Sequence, residues 1–200
     1  MTIQDRIYNR VKGKGRGAVF TPKDFLGLGS RAAVDQSLSR MVKAGTIHRL
    51  RRGVYYFPKT HPRLGILSPD GDAIARALVG DAPLQMSGAA AMNALGLSTQ
   101  VPARTIYYSD RSFKDVPVGN RVISVRKASP RQLAGADRPS GPALQALKYL
   151  GKDRVDDRVV TTLRNRLSRA VKDDLDAYVQ RHPRKVPDWI RKPVSQIAEA

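Results

Sequence analysis

Asp70 with Asp72, and Asp173 with Asp174, place carboxylates close enough in sequence to share a hard cation such as Mg²⁺. The plainer reading of both pairs is as acids near helix N-termini, where peptide dipoles favour negative charge. Glu199 is the only glutamate, so a nuclease built on an Asp…Glu-x-Lys pattern has no suitably placed Glu. His48, His61 and His182 lie in a β-prone run, before Pro62 and before Pro183, without metal-ligand spacing. The chain has no cysteine, which removes disulfides, thiolate metal sites and thiol nucleophiles together. Gly13-Lys14-Gly15 and Gly27-Leu28-Gly29-Ser30 are too short for a phosphate loop, and Ser87-Gly88 reads as a helix N-cap. The expectation is a protein that is not an enzyme, with no catalytic residue, no cofactor and no metal. The alternative is a nuclease or transferase accessory with an Asp-based site.

The cations offer more. Against 17 acidic residues stand 36 Lys and Arg, a formal charge of +19, and such an excess favours polyanionic partners. Residues 1–60 carry 13 basic and 3 acidic side chains, residues 61–100 carry 2 and 3, and residues 101–200 carry 21 and 11. Two basic blocks therefore flank a nearly neutral middle. In the first block Arg31, Gln36, Ser39, Arg40 and Lys43 fall opposite Val34, Leu38 and Met41 if the segment is one helix. Arginine pairs with guanine and glutamine with adenine in bidentate fashion, which makes Arg31 and Gln36 the expected base readers. Ser30, Ser39, Arg40 and Lys43 suit phosphate contacts, which set register without reading sequence. Arg49, Arg51 and Arg52 cluster around a predicted turn and suit the backbone or a narrow minor groove. Tyr55, Tyr56 and Phe57 read as hairpin core rather than as a base-stacking platform.

Three helices and a hairpin are needed to hold those residues. Ile3, Ile7, Tyr8 and Val11 recur at helical spacing before the Gly/Lys run at 12–17, and Gly17-Ala18-Val19-Phe20 reads as a short strand. Thr21-Pro22-Lys23-Asp24 carries an N-cap, a first-turn proline and an acid at the third helical position; Gly27 and Gly29 are expected to stop that short helix. Ser30 caps a longer helix running to Gly45. Thr46–Leu50 and Val54–Phe57 then flank Arg51-Arg52-Gly53 as a hairpin, and Pro58 and Pro62 close the unit. Helix, helix, helix and basic hairpin is the order of a winged helix-turn-helix, in which the third helix enters the major groove.

Beyond it, Ser68-Pro69-Asp70 predicts an N-cap and proline opening a helix through Ile74, Ala77 and Leu78, and Ser87 opens a small-residue helix stopped by Gly96. Thr105–Tyr108 and Arg121–Val125 read as strands joined by a turn-rich stretch holding Pro117 and Gly119. Helices follow at Ala143–Leu150, Val155–Leu167 and Val171–Val179, and Pro183 and Pro187 precede a tail with Trp189. The expected fold class is α+β: a winged helix-turn-helix over 1–60, then an α+β domain over 61–200 with a small sheet and C-terminal helices. The N-terminus lacks an apolar signal region and no segment approaches 18 consecutive apolar residues, so a soluble, cytoplasmic protein with no membrane partner is expected.

Gly17-Ala18-Val19-Phe20, Asp24-Phe25, Gly29-Ser30-Arg31, Leu38-Ser39-Arg40-Met41-Val42, Gly45 and Arg52-Gly53-Val54-Tyr55 together resemble the N-terminal domain of AbiEi-like antitoxins. Ser87-Gly88-Ala89-Ala90-Ala91 and Leu95-Gly96-Leu97-Ser98-Thr99-Gln100-Val101-Pro102 are similar to the same group and its bacterial relatives. The resemblance implies a repressor that binds double-stranded operator DNA of its own operon. It also implies a type IV toxin–antitoxin pair, with a nucleotidyltransferase-like toxin opposed without a tight complex. The sequence leaves monomer and homodimer on DNA both open, and a non-specific nucleic-acid-binding protein is the competing reading.

Overall fold

The computed structural model describes residues 1–100 and 102–199, and they group into two compact units, 1–81 with 115–123 and 82–114 with 124–200. Val101, in the run Leu95–Pro102, lies outside the described residues. A division after residue 60 was the expectation; the first unit also takes in 61–81 and 115–123. The architecture is mixed α+β, with small sheets and a run of C-terminal helices.

In the first unit, α1 spans Ile3–Lys14 and buries Ile7 and Val11. Thr2 and Asp5 cap it reciprocally: the Thr2 hydroxyl accepts from the Asp5 amide at 3.1 Å, and the Asp5 carboxylate accepts from the Thr2 amide at 2.8 Å. The Thr2 backbone and hydroxyl donors hold the Asp5 carboxyl below its usual range. After β1 (Val19–Phe20), Thr21 and Asp24 form the expected capping box of a 3-10 segment, Pro22–Leu28. The segment runs through Gly27 instead of stopping there, and ends at Gly29. A Cβ on Gly29 would lie 2.7 Å from Ile3 Cδ1, so a larger residue there would require the Ile3 side chain on α1 to shift. Ser30 then caps α2 (Arg31–Lys43), accepting from the Ala33 amide at 3.3 Å.

Two strands follow, β2 (His48–Arg51) and β3 (Val54–Tyr56), joined through Arg52-Gly53 with Gly53 at φ +80°. That left-handed position favours glycine. The sheet is antiparallel in the order β1-β3-β2. Phe20, Phe25, Val34, Leu38, Met41, Ile47 and Tyr55 form one buried core beneath it. The order of these elements is compatible with a winged helix-turn-helix.

Pro58 and Pro62 do not close the unit. A second hairpin, β4 (Lys59–His61) and β5 (Gly65–Leu67), brackets Pro62. The next helix, α3 (Gly71–Val79), is capped by Asp70 and not by Ser68: the Asp70 carboxylate accepts from the Asp72 amide. Its Ile74, Ala75 and Val79 are buried.

The second unit opens with β6 (Gln85–Met86), α4 (Gly88–Ala94) and β7 (Arg104–Ser109). Ser87 caps α4 as expected, accepting from Ala90. The stretch expected as a turn then contains a strand of the first unit, β8 (Val116–Val118), whose residues pair antiparallel with the start of β9 (Arg121–Lys127). Pro117 is tolerated because β8 is an edge strand, where a missing N–H breaks no central ladder. Within the second unit the strand order is β6-β7-β9.

The remaining helices are α5 (Gly141–Leu150), α6 (Asp157–Arg166), α7 (Arg169–Arg181) and α8 (Arg191–Ala198), with 3-10 turns at Lys152–Arg154 and Asp188–Ile190. Small residues let α4 and α5 pack closely, with Ala91 and Ala146 fully buried. The expected tail is thus core structure. Ile190, Val194 and Ile197 are fully buried beside Leu147, Leu163, Leu175 and Val179. Arg164 on α6 clamps the Gln196 carbonyl on α8, donating from Nε at 2.9 Å.

Candidate nucleic-acid interface

At about 100° per residue, the buried residues Val34, Ser37, Leu38 and Met41 define the inward side of α2. Opposite them lies one exposed strip: Ala32, Gln36, Ser39 and Lys43. Arg31 and Asp35 occupy one flank and Arg40 the other. Arg31, which the sequence placed among the residues opposite the buried ones, therefore lies at the edge of that side. Its Nε donates to Asp35 Oδ2 at 2.8 Å, an i,i+4 pair with both side chains about half exposed. The pair engages the guanidinium through Nε. An exposed i,i+4 pair contributes only about 0.3–0.5 kcal/mol, so a phosphate or base edge can compete for the group. The Arg-x-x-x-Asp spacing was visible in the sequence; Ala32 at the strip's centre was not marked by its type.

Ser30 has its hydroxyl oxygen committed to capping, which leaves the O–H free to donate. Gln36, Ser39, Arg40 and Lys43 are all exposed. On the hairpin Arg49 is exposed and faces Tyr55 across the ladder, and Arg52 is exposed in the turn. Arg51 differs from its neighbours: an irregularity between Arg49 and Arg51 shifts the register, and Arg51 is half-buried and engaged within the chain. The tip cluster of three arginines thus reduces to two outward cations. Tyr55, Tyr56 and Phe57 are buried, at 8%, 8% and 6% exposure, and act as hairpin core. Burial pushes the Tyr56 phenol up.

Several cations of the first block serve the fold. Arg6 donates to the Leu28 carbonyl at 3.3 Å and Arg10 to the Asp24 carbonyl at 3.0 Å, fastening α1 to the 3-10 segment. Arg16 donates to the Pro58 carbonyl at 2.9 Å and lies 4.7 Å over the Phe57 ring. A count of charges could not separate these from the cations left on the surface.

The carboxylate pairs divide. Asp70 and Asp72 sit at the start of α3, as the dipole argument expects. Asp173 and Asp174 lie in the second turn of α7, past its N-terminus. Asp173 pairs with Arg169 at 2.9 Å, while Asp174 binds Arg138 and Ser140. Among the described residues no three His, Asp or Glu side chains stand together as a metal site. No helix of the described residues is long and apolar enough to cross a membrane.

A family model described as Family of unknown function (DUF6088) matches residues 6–175. The chain belongs to the DUF6088 family. The match starts inside α1 and ends inside α7, so the DUF6088 region contains α2, the arginine hairpin and every candidate residue on them. No curated protein matches the chain.

Proposed function

We propose that this DUF6088 protein is a sequence-specific DNA-binding regulator that reads double-stranded DNA with α2 of a winged helix-turn-helix. The observation that carries the reading is the exposed strip of α2. It holds a base-reading glutamine, a small residue that permits close approach and a terminal lysine, with Arg31 and Arg40 on its flanks. Gln36, and Arg31 once released from Asp35, serve as base readers. Ser30, Ser39, Arg40, Lys43, Arg49 and Arg52 contact phosphates. Following the resemblance to AbiEi-like antitoxins, the finer proposal is an autorepressing antitoxin of a type IV pair, acting in the cytoplasm. Co-expression with a toxic neighbouring gene tests it: absence of rescue by full-length protein removes the antitoxin role.

DNA binding itself is tested by titrating the protein against its own upstream DNA and a shuffled duplex at several salt concentrations. Preference by about 10³ or more at physiological salt supports the specific reading. Equal affinity that falls by orders of magnitude between about 50 and 200 mM salt assigns the charge to general phosphate binding. Gln36→Ala and Arg31→Ala are each expected to cost about 1–3 kcal/mol on the preferred duplex and to narrow its advantage. Arg52→Ala is expected to weaken all duplexes alike and make the salt dependence shallower. Equal losses on both duplexes for all three variants would remove Gln36 and Arg31 as base readers.

A further inference from the structure

A cavity of about 460 Å³ opens in the second unit, on the side of α5 that carries Lys148 and Tyr149. Its lining contains two cations, Arg131 and Lys148, and no acidic residue. Neither cationic head has a hydrogen-bond or ion-pair partner among the described residues. Lys148 is half-buried; burial, and then the Arg131 charge, hold its ammonium below the ordinary value. Arg131 is exposed and Lys148 half-buried, so two like charges border one concave space with no acidic residue in its lining, and an anion seated between them would offset the desolvation of Lys148.

The rest of the wall is largely aromatic. Tyr108, Tyr149 and Trp189 supply aromatic surface. Tyr149 is held against Gly88, where an added Cβ would come within 2.2 Å of Tyr149 Cβ. Gln145 is buried, and its amide donates to the Gln132 and Ala134 carbonyls at 3.3 and 3.2 Å. That fixes the turn from which Arg131 projects. Paired cations beside aromatic faces match a ligand with a doubly charged head and a planar body, and the volume lies within the range of small-molecule sites.

From this juxtaposition we propose that the cavity binds a small planar phosphate monoester of the size of a mononucleotide, with the phosphate between Arg131 and Lys148 and the ring against Tyr149 and Trp189. The proposal is independent of the DNA reading, because it concerns only residues of the second unit.

Trp189 is the only tryptophan of the chain, so its fluorescence reports occupancy directly. AMP, adenosine, inorganic phosphate and salicylate are titrated into the full-length protein, into Lys148→Met and into Arg131→Gln. AMP is expected to change the emission saturably, adenosine and phosphate to bind at least about tenfold more weakly, and each variant to lose about tenfold or more for AMP. Without ligand, Lys148→Met is expected to melt no lower than the wild type, because it removes an unpaired, half-buried cation and keeps the apolar stem. Four results overturn the proposal: no saturable response to AMP by protein with a native circular dichroism spectrum, unchanged AMP affinity in both variants, tighter binding of salicylate than of AMP, or a marked fall in the melting temperature of Lys148→Met, which would make Lys148 a packing residue.

Discussion

Phe20→Ala is expected to destabilise the first unit by about 3–5 kcal/mol, the range for truncating a fully buried aromatic side chain. Phe20 has no exposed surface and joins the elements that flank α2. Its ring meets Phe25 edge-on at 5.4 Å and stacks on Tyr55 at 6.3 Å. Phe25 belongs to the 3-10 segment before α2 and Tyr55 to the hairpin, so one ring fastens both. Each such aromatic pair adds about 0.5–1.5 kcal/mol beyond area burial, and alanine removes both along with the transfer free energy. With urea m-values of about 1–3 kcal/mol/M, the unfolding midpoint should fall by about 2 M. Phe20→Leu, which refills most of the volume, should lose much less. The readout is urea unfolding by circular dichroism, with DNA affinity measured at a temperature where the variant is folded. A loss below about 1 kcal/mol would mean that Phe25 and Tyr55 repack without the ring, and would contradict the role given to this cluster.

The second large effect lies at Asp174. Its carboxylate pairs with the Arg138 guanidinium and accepts from the Ser140 hydroxyl at 2.5 Å and the Ser140 amide at 3.3 Å. It thereby pins the segment entering α5 to α7. The Arg138 guanidinium lies 5.2 Å over the Tyr178 ring, so loss of Asp174 leaves a cation over an aromatic face with its anion gone. Asp174→Ala is expected to cost about 2–4 kcal/mol at pH 7, somewhat below the figure for a fully buried pair because the group retains some contact with water. Burial is the largest single influence and would raise the Asp174 carboxyl, but the Ser140 hydroxyl, the Arg138 guanidinium and the Ser140 amide together outweigh it and the net shift is downward. The folded value therefore lies below the unfolded one, near 3.9. The stabilisation is complete above about pH 4 and is lost as the pH falls through the folded value. The stability gap between wild type and Asp174→Asn, followed by urea midpoint from pH 7 to pH 2.5, should hold steady and then narrow below about pH 4. A gap that stays constant over the whole range would show that the carboxylate's charge contributes nothing there.

Features governed by a few neighbouring residues were legible in the sequence. Thr21 with Asp24, Ser30 before α2 and Ser87 before α4 cap their helices as expected, because a cap depends on residues two or three positions apart. The Arg52-Gly53 turn and the inward side of α2 were equally readable, since a positive φ and a 3.6-residue period are local properties. Where two signals of the same kind compete, the sequence misleads. Ser68 and Asp70 are both good caps, and the helix starts after Asp70.

The use made of each charge was decided by the tertiary structure. Arg6, Arg10 and Arg16 look like Arg40 and Arg52 in sequence, yet their heads meet backbone carbonyls that folding brings from up to 42 positions away. Asp174 acquired its partners across 34 and 36 positions. Pro117 in a strand and the burial of Ile190, Val194 and Ile197 near the C-terminus depend on elements far along the chain. The cavity at Arg131, Lys148 and Trp189 was invisible for the same reason. Local conformation follows from neighbours in sequence, whereas a side chain's electrostatic partner, and so its function, follows from neighbours in space that only the closed fold supplies.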